Sequence, residues 1–245
     1  TIAINNWSGK DSCYISRWYN QGSSTAFSYF QSVTVPQGIR FRLKGGLPYA
    51  EYNGISYMNT NSNTSATVPF LYDGSKTVTA NIVFATANAT TSSVYGLFGN
   101  NAGSTASKGM YLIYDHRASA SSTNALAMTV TNGNSGQYVI SDKYNNSPIP
   151  INSKGVATII YNPSDATTLN RSKIYGNGST AQQNNTGTDA PSALSAPTPF
   201  SLGSIGSNNT RLTGNIYEFI IYDTALTDTQ RTKLRDNQNS RYNIY

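Results

Sequence analysis

Short runs of alternating apolar and polar residues, cut by turn-forming residues, constrain this 245-residue chain more than any other feature. Ile39, Phe41 and Leu43 alternate with Arg40, Arg42 and Lys44, and Val78, Ala80, Ile82 and Phe84 with Thr77, Thr79, Asn81 and Val83. A period of two is that of a strand with one face in the core. Further strands are predicted at 94–98, 110–114, 125–130, 137–141, 156–161, 173–175, 199–203 and 216–222. The punctuation has the chemistry of tight turns: Asn53-Gly54, Asp73-Gly74, Asn132-Gly133 and Asn177-Gly178, pairs that tolerate the positive φ a hairpin turn needs. About a dozen strands without interleaved helices predict an antiparallel sandwich rather than a parallel α/β sheet.

Composition supports this. Asn, Ser and Thr make up 87 residues, while charged residues are 11% of the chain, so the long helix formers of a coiled coil or helical bundle are scarce. With 38% hydrophobic and 11% aromatic residues, the chain can build a sizeable core and is not a disordered tract. One helix is predicted near the end, where Thr227 and Gln230 have the spacing of a capping box and Asp228 sits in the first turn. Its few apolar positions, Ala225, Leu226 and Leu234, predict a surface helix that packs weakly. Residues 181–199, with Pro191, Pro197 and Pro199, read as a long loop within one domain spanning 1–245. A boundary there would leave too short a remainder for an independent core. Residues 59–67 and 119–124 read as exposed loops.

The net charge is +6. Only Arg40, Arg42 and Lys44 group on one strand face, so neither a nucleic-acid partner nor membrane insertion is expected. Cys13 is the single cysteine, which leaves no intrachain disulfide or cysteine metal cluster and makes a buried, inert thiol the default. Eight Asn-x-Ser/Thr sequons occur. The Asn, Ser and Thr content alone would generate about seven, so they indicate no secretory selection.

The C-terminal region carries a recognisable pattern. Phe200-Ser-Leu-Gly203 precedes Leu212-Thr-Gly-Asn-Ile-Tyr-Glu-Phe-Ile-Ile-Tyr-Asp223, then Ala225-Leu226-Thr227 enters the helix. This resembles the closing segment of laminin-G-like domains of the concanavalin A-like lectin/glucanase superfamily. Trp18-Tyr19-Asn20-Gln21-Gly22 is similar to their Trp-Tyr-Asp-Gln-Ser-Gly element, with Asn20 in place of Asp and no Ser after Gln21. Gly46-Leu-Pro-Tyr-Ala-Glu-Tyr-Asn-Gly54 is similar to the strand that follows. The resemblance implies an antiparallel jelly-roll β-sandwich with one short C-terminal surface helix. The fold hosts lectins, hydrolases and structural modules, so function must be argued from a site.

Glucanases of this fold need carboxylates on one strand face, one as nucleophile and one as acid/base. The two Glu residues, Glu51 and Glu218, lie on different strands, each without a second acid in register. Tyr217, Phe219 and Ile221 are expected to face the core, leaving Glu218 on the other side against an Arg or a backbone donor. His116 is the only histidine, no Gly-x-Ser-x-Gly turn accompanies it, and no phosphate loop occurs. The chain is therefore read as non-catalytic and without a cofactor. The resemblance admits one exception, a calcium ion at loop-edge Asp73, Asp115 or Asp142.

The positive signal is for binding. Aromatic rings against sugar C–H faces, with Asn, Asp and Arg as hydrogen-bonding partners, are the parts this chain has in abundance, and Tyr outnumbers Phe 18 to 8. Trp18 lies in a strand-like run and reads as core. Trp7, flanked by Asn and Ser, is a candidate platform. Tyr111, Tyr114, Asp115, His116 and Arg117 form a candidate rim site. The first expectation is a carbohydrate-binding or adhesion domain of a virion, fibre or secreted surface protein, with a glycan or cell-surface polysaccharide as ligand. The alternative is a structural module contacting other virion or fibre subunits, and a glycoside hydrolase ranks third. The start at Thr1-Ile2-Ala3 without Met suggests a trimmed chain, and the setting expected is extracellular or on a virion surface.

Overall fold

The computed structural model describes residues 2–5, 13–19, 29–32, 39–60, 74–87, 93–101, 108–117, 124–133, 137–178, 181–182, 186–188, 190–191, 199–206 and 210–245. Their strands are β1 (Ile2–Asn5), β2 (Cys13–Tyr19), β3 (Tyr29–Ser32), β4 (Ile39–Lys44), β5 (Leu47–Asn53), β6 (Met58–Thr60), β7 (Val78–Thr86), β8 (Val94–Gly99), β9 (Lys108–Asp115), β10 (Ala125–Asn132), β11 (Ile140–Tyr144), β12 (Lys154–Tyr161), β13 (Ser172–Gly176), β14 (Ser201–Leu202) and β15 (Thr213–Tyr222). A 3₁₀ turn, Thr168–Arg171, precedes β13, and a helix, α1 (Asp228–Tyr242), follows β15. Strand pairing is antiparallel along the path β11-β10-β9-β8-β14-β6-β3-β2-β4-β5-β15-β7-β12-β13, with β1 beside β2.

The path rolls up so that its halves face each other as two sheets. Phe84 of β7 meets the edge of Tyr114 of β9 with ring centres 5.6 Å apart, and Phe98 of β8 lies 5.2 Å from Phe219 of β15. Between the halves sits one core of alternate residues, including Ile39, Val78, Ile82, Phe84, Leu112, Leu126, Ile159, Ile174 and Ile216, each contributing roughly 1.5–3 kcal/mol of burial when fully sequestered. Trp18 packs against this core, as its strand context predicted. The Cys13 side chain lies outside the described residues.

The ends of the path, β11 and β13, are clasped. Ser172 Oγ donates to the buried Asp142 carboxylate at 2.7 Å. Gln182 exchanges backbone hydrogen bonds with Ile174 of β13, and Thr186 N–H donates to Ser141 O of β11. The described part of the expected 181–199 loop therefore bridges two strand edges that would otherwise expose unpaired backbone. The start of the expected 59–67 loop is strand β6, where Asn59 pairs with Ser201. Residues 61–67 and 119–123 lie outside the described residues.

The helix corrects a second expectation. Thr227 and Gln230 form the capping box, and Asn243 closes the other end at φ 47°, but the packing is not weak. α1 lies over the outer face of β7, β12 and β15, where it meets Asn81, Val83, Val156 and Glu218, and every residue of β7 is buried. The polar residues of that face are satisfied by this arrangement. Thr79 Oγ1 donates to Thr224 O at 2.7 Å and accepts from Leu226 N–H. Gln238 Nε2, buried, donates to Asn81 Oδ1 at 2.6 Å and to Glu218 at 2.7 Å. Arg231 lies 3.9 Å above the Tyr175 ring, and Tyr242 packs with Val83 and Val156 in a second apolar cluster. A scarcity of aliphatic residues misleads here because one aromatic and several long polar side chains make the contact.

Candidate ligand cleft

The side chains of β15 do not all face as alternation predicts. A bulge between Ile216 and Glu218, opposite Phe84 and Val83 of β7, inserts one residue. Ile216 faces the core before it, Phe219 and Ile221 after it, and Tyr217 is turned outward into the second cluster. Tyr217 is thereby corrected from core to outer face. Its ring sits 5.2 Å from Tyr49 and 5.9 Å from Tyr242. Burial raises its phenol pKa, a hydrogen bond with the Asn215 side chain opposes this, and neighbouring Tyr49 adds to the rise, so the phenol is neutral at pH 7. Burial, with Glu218 nearby, pushes Tyr242 up to about 12 against the opposing charge of Arg241.

The ladder registers bring a row of residues across the same outer face: Arg40 of β4 opposite Glu51 of β5, Glu51 opposite Asn215 of β15, Asn215 opposite Ala85 of β7, and Ala85 opposite Lys154 of β12. Strands are about 4.8 Å apart. Ala85, with only a methyl group, leaves a dip between Asn215 and Lys154, and this dip is the floor of a cleft of about 550 Å³. Tyr217 and Lys44 line it from the β4–β5–β15 side, Thr86, Asn152 and Ser153 from the strand ends, and Asn243 and Ile244 from beyond α1. Lys154 Nζ donates to the Tyr242 carbonyl and stands 5.8 Å from the centre of the Tyr217 ring. The described residues of the wall thus offer one phenol, three amides, two hydroxyls and two ammonium groups.

Among the described residues neither glutamate stands in a carboxylate pair. Glu51 accepts from Arg42 Nε at 2.9 Å, with Arg40 at 4.0 Å. Glu218 accepts from Gln238 and lies 3.6 Å from Arg241, the arginine contact expected of it. Arg40 and Arg42 are therefore drawn to Glu51, while Lys44 of the same strand face lines the cleft.

The predicted rim residues are not gathered into one site. Tyr114 is a correction: it is fully buried, its hydroxyl donating to Ile149 O at 2.8 Å, because it shares the inward register of Met110 and Leu112. Tyr111, half-buried, is on the opposite face of β9, hydrogen-bonded to Thr129. Asp115 is buried and taken up by Arg117, whose backbone N–H, Nε and Nη2 donate to it at 3.0, 3.0 and 2.7 Å. Burial raises the Asp115 pKa, but the Arg117 hydrogen bonds and the charges of Arg117 and Lys143 outweigh it and leave the pKa lowered. His116 Nδ1 lies 2.7 Å from Asn124 Oδ1. Trp7 and Asp73 lie outside the described residues. Asp142 faces Ser172 in the clasp, and among the described residues no three His, Cys, Asp or Glu side chains converge as a metal site. The cleft residues carry no motif, and only the register and the bulge unite them.

No protein-family model and no curated protein matches this sequence. Solved structures do. Domain 4 of AbnA, a GH43 extracellular arabinanase from Geobacillus stearothermophilus, solved in complex with arabinotriose, matches with a TM-score of 0.53 at 16% identity over 92% of this chain and 100% of that one. The botulinum neurotoxin serotype G binding domain matches at 0.56 and 14% identity over 98% of this chain. The binding domain of botulinum neurotoxin DC, solved with rat synaptotagmin II, matches at 0.50 and 10% identity over 96%. This chain spans about half, 51%, of each toxin chain. At these identities the likeness is one of fold, the antiparallel β-sandwich that the sequence predicted. No helix among the described residues is long and apolar enough to cross a membrane.

Proposed function

We propose that this domain is a non-catalytic glycan-binding module and that its saccharide seats in the cleft over Ala85. The observation that carries the reading is the lining: a tyrosine beside three asparagines and two lysines around a small-residue floor. Such a wall presents amide, hydroxyl, phenol and ammonium hydrogen-bonding groups to sugar hydroxyls. The volume is that of a small-ligand site. The separate commitment of Glu51 and Glu218 to arginine and glutamine partners supports binding without hydrolysis, since glycosidases hold two free carboxyls about 5–9.5 Å apart across the scissile bond. The likeness in fold to an arabinanase domain solved with arabinotriose supports a carbohydrate ligand, and we read the setting as adhesion by a secreted or virion-surface protein.

A glycan array, followed by calorimetry with Asn215→Ala and Ser153→Ala, tests the reading. Binding of at least one saccharide that weakens in both variants is expected. Turnover of a polysaccharide that disappears in Glu51→Gln or Glu218→Gln would replace the binding module with a hydrolase.

A further inference from the structure

We infer that the cleft selects an acidic saccharide, one bearing a carboxylate or a sulfate; this rests on the cleft being the glycan seat. Two ammonium groups line the cleft, Lys44 and Lys154, and among the described residues no carboxylate side chain lines it with them. Among the described residues neither lysine is ion-paired. Lys154 directs one of its three donors to the Tyr242 carbonyl, which fixes the ammonium beside Tyr217 and leaves two donors for a ligand. The nearest acid along the row, Glu51, meets two arginines, Arg42 and Arg40, so that end of the face is also net positive. A neutral sugar would leave both cleft lysines without a counter-charge. A ligand oxyanion within hydrogen-bonding reach of either would gain a charge-assisted bond, stronger than a hydroxyl contact.

A polynucleotide fits this surface less well. It needs a basic track along its backbone and open aromatic faces for its bases. Here the cleft holds two cations, Arg40 and Arg42 are engaged by Glu51, and the Tyr217 ring is packed between Tyr49 and Tyr242.

Paired probes test the inference by calorimetry on the intact domain: uronate oligosaccharides against their methyl esters, sulfated oligosaccharides against their desulfated forms, and a single-stranded DNA of matched charge. The expected result is that at least one acidic member binds and its neutral counterpart binds about tenfold or more weakly, the worth of a hydrogen bond to a charged group. Lys44→Gln, at an exposed position, lowers affinity for the acidic form several-fold more than for the neutral form and leaves the thermal midpoint unchanged. Which acidic arm binds separates carboxylate from sulfate recognition. Equal binding of acidic and neutral partners, or an acidic ligand indifferent to Lys44→Gln, overturns the inference and leaves a glycan seat standing. Equal binding of the DNA overturns it in favour of an unselective cationic patch. Failure of every saccharide, acidic and neutral, removes the glycan reading itself.

Discussion

The helix is tied to the sheet through Gln238, and truncating that side chain should loosen the face that carries the cleft. Gln238 is 2% exposed. Its amide donates to Asn81, which itself donates to Thr158 Oγ1 at 2.8 Å, and to the carboxylate of Glu218. Gln238→Ala removes one hydrogen bond to a neutral acceptor, worth about 0.5–1.5 kcal/mol, and one to a charged acceptor, worth about 1.5–3 kcal/mol. The better helix propensity of Ala offsets only a few tenths. The expected cost is about 2–4 kcal/mol, which lowers the urea midpoint by about 1 M at an unchanged slope. Asn237→Ala, at the exposed neighbouring position, provides the control and should leave the midpoint unchanged or raise it slightly. Gln238→Glu sets a carboxylate against Glu218 and raises its own folded-state pKa above the unfolded value. Its excess destabilisation is full above that raised pKa and disappears below the unfolded value of about 4.3. A midpoint for Gln238→Ala within about 0.3 M of the parent, against the 1 M expected, would refute the network as the anchor of the helix.

Two further outcomes follow from the geometry. Asp115 has a lowered folded-state pKa, so its contribution is present above the unfolded carboxylate value and is lost as pH falls through the folded one. Asp115→Asn should cost about 1–2 kcal/mol at pH 7, and urea titrations at descending pH should show that difference closing below the usual carboxylate range. Gly214, at φ 150°, would set a Cβ 2.1 Å from Ala85 O. Gly214→Ala should therefore cost more than about 2 kcal/mol and lower the melting temperature, and a midpoint within a degree of the parent would contradict the β15–β7 register at the cleft.

Much of the sandwich was legible in the residues because a strand's period of two is local. Val78, Ala80, Ile82 and Phe84 face the core as their alternation required, and Asn177-Gly178 makes its turn with both residues at positive φ. The opposite face of β7 was misleading, since Thr79 and Asn81 look solvent-facing until α1 is laid over them. Alternation misplaces Tyr217 because a bulge shifts the phase of a strand by one residue without a mark in the sequence. Tyr114 is next to Asp115 in sequence, but the pleat sends it inward, away from the Asp115–Arg117 pair. The cleft was invisible for a deeper reason. Lys44, Ala85, Lys154 and Asn215 are drawn together only by ladder registers among strands distant in sequence, and Ala85 contributes by being small.

The glycan seat is tested most directly by following the backbone amide resonances of the domain during titration with a saccharide found to bind it. The largest shifts are expected at Ala85–Ala87, Ser153, Lys154, Asn215, Tyr217 and Ile244. Shifts confined to Tyr111 and His116–Arg117, with the cleft amides unmoved at saturation, would contradict it.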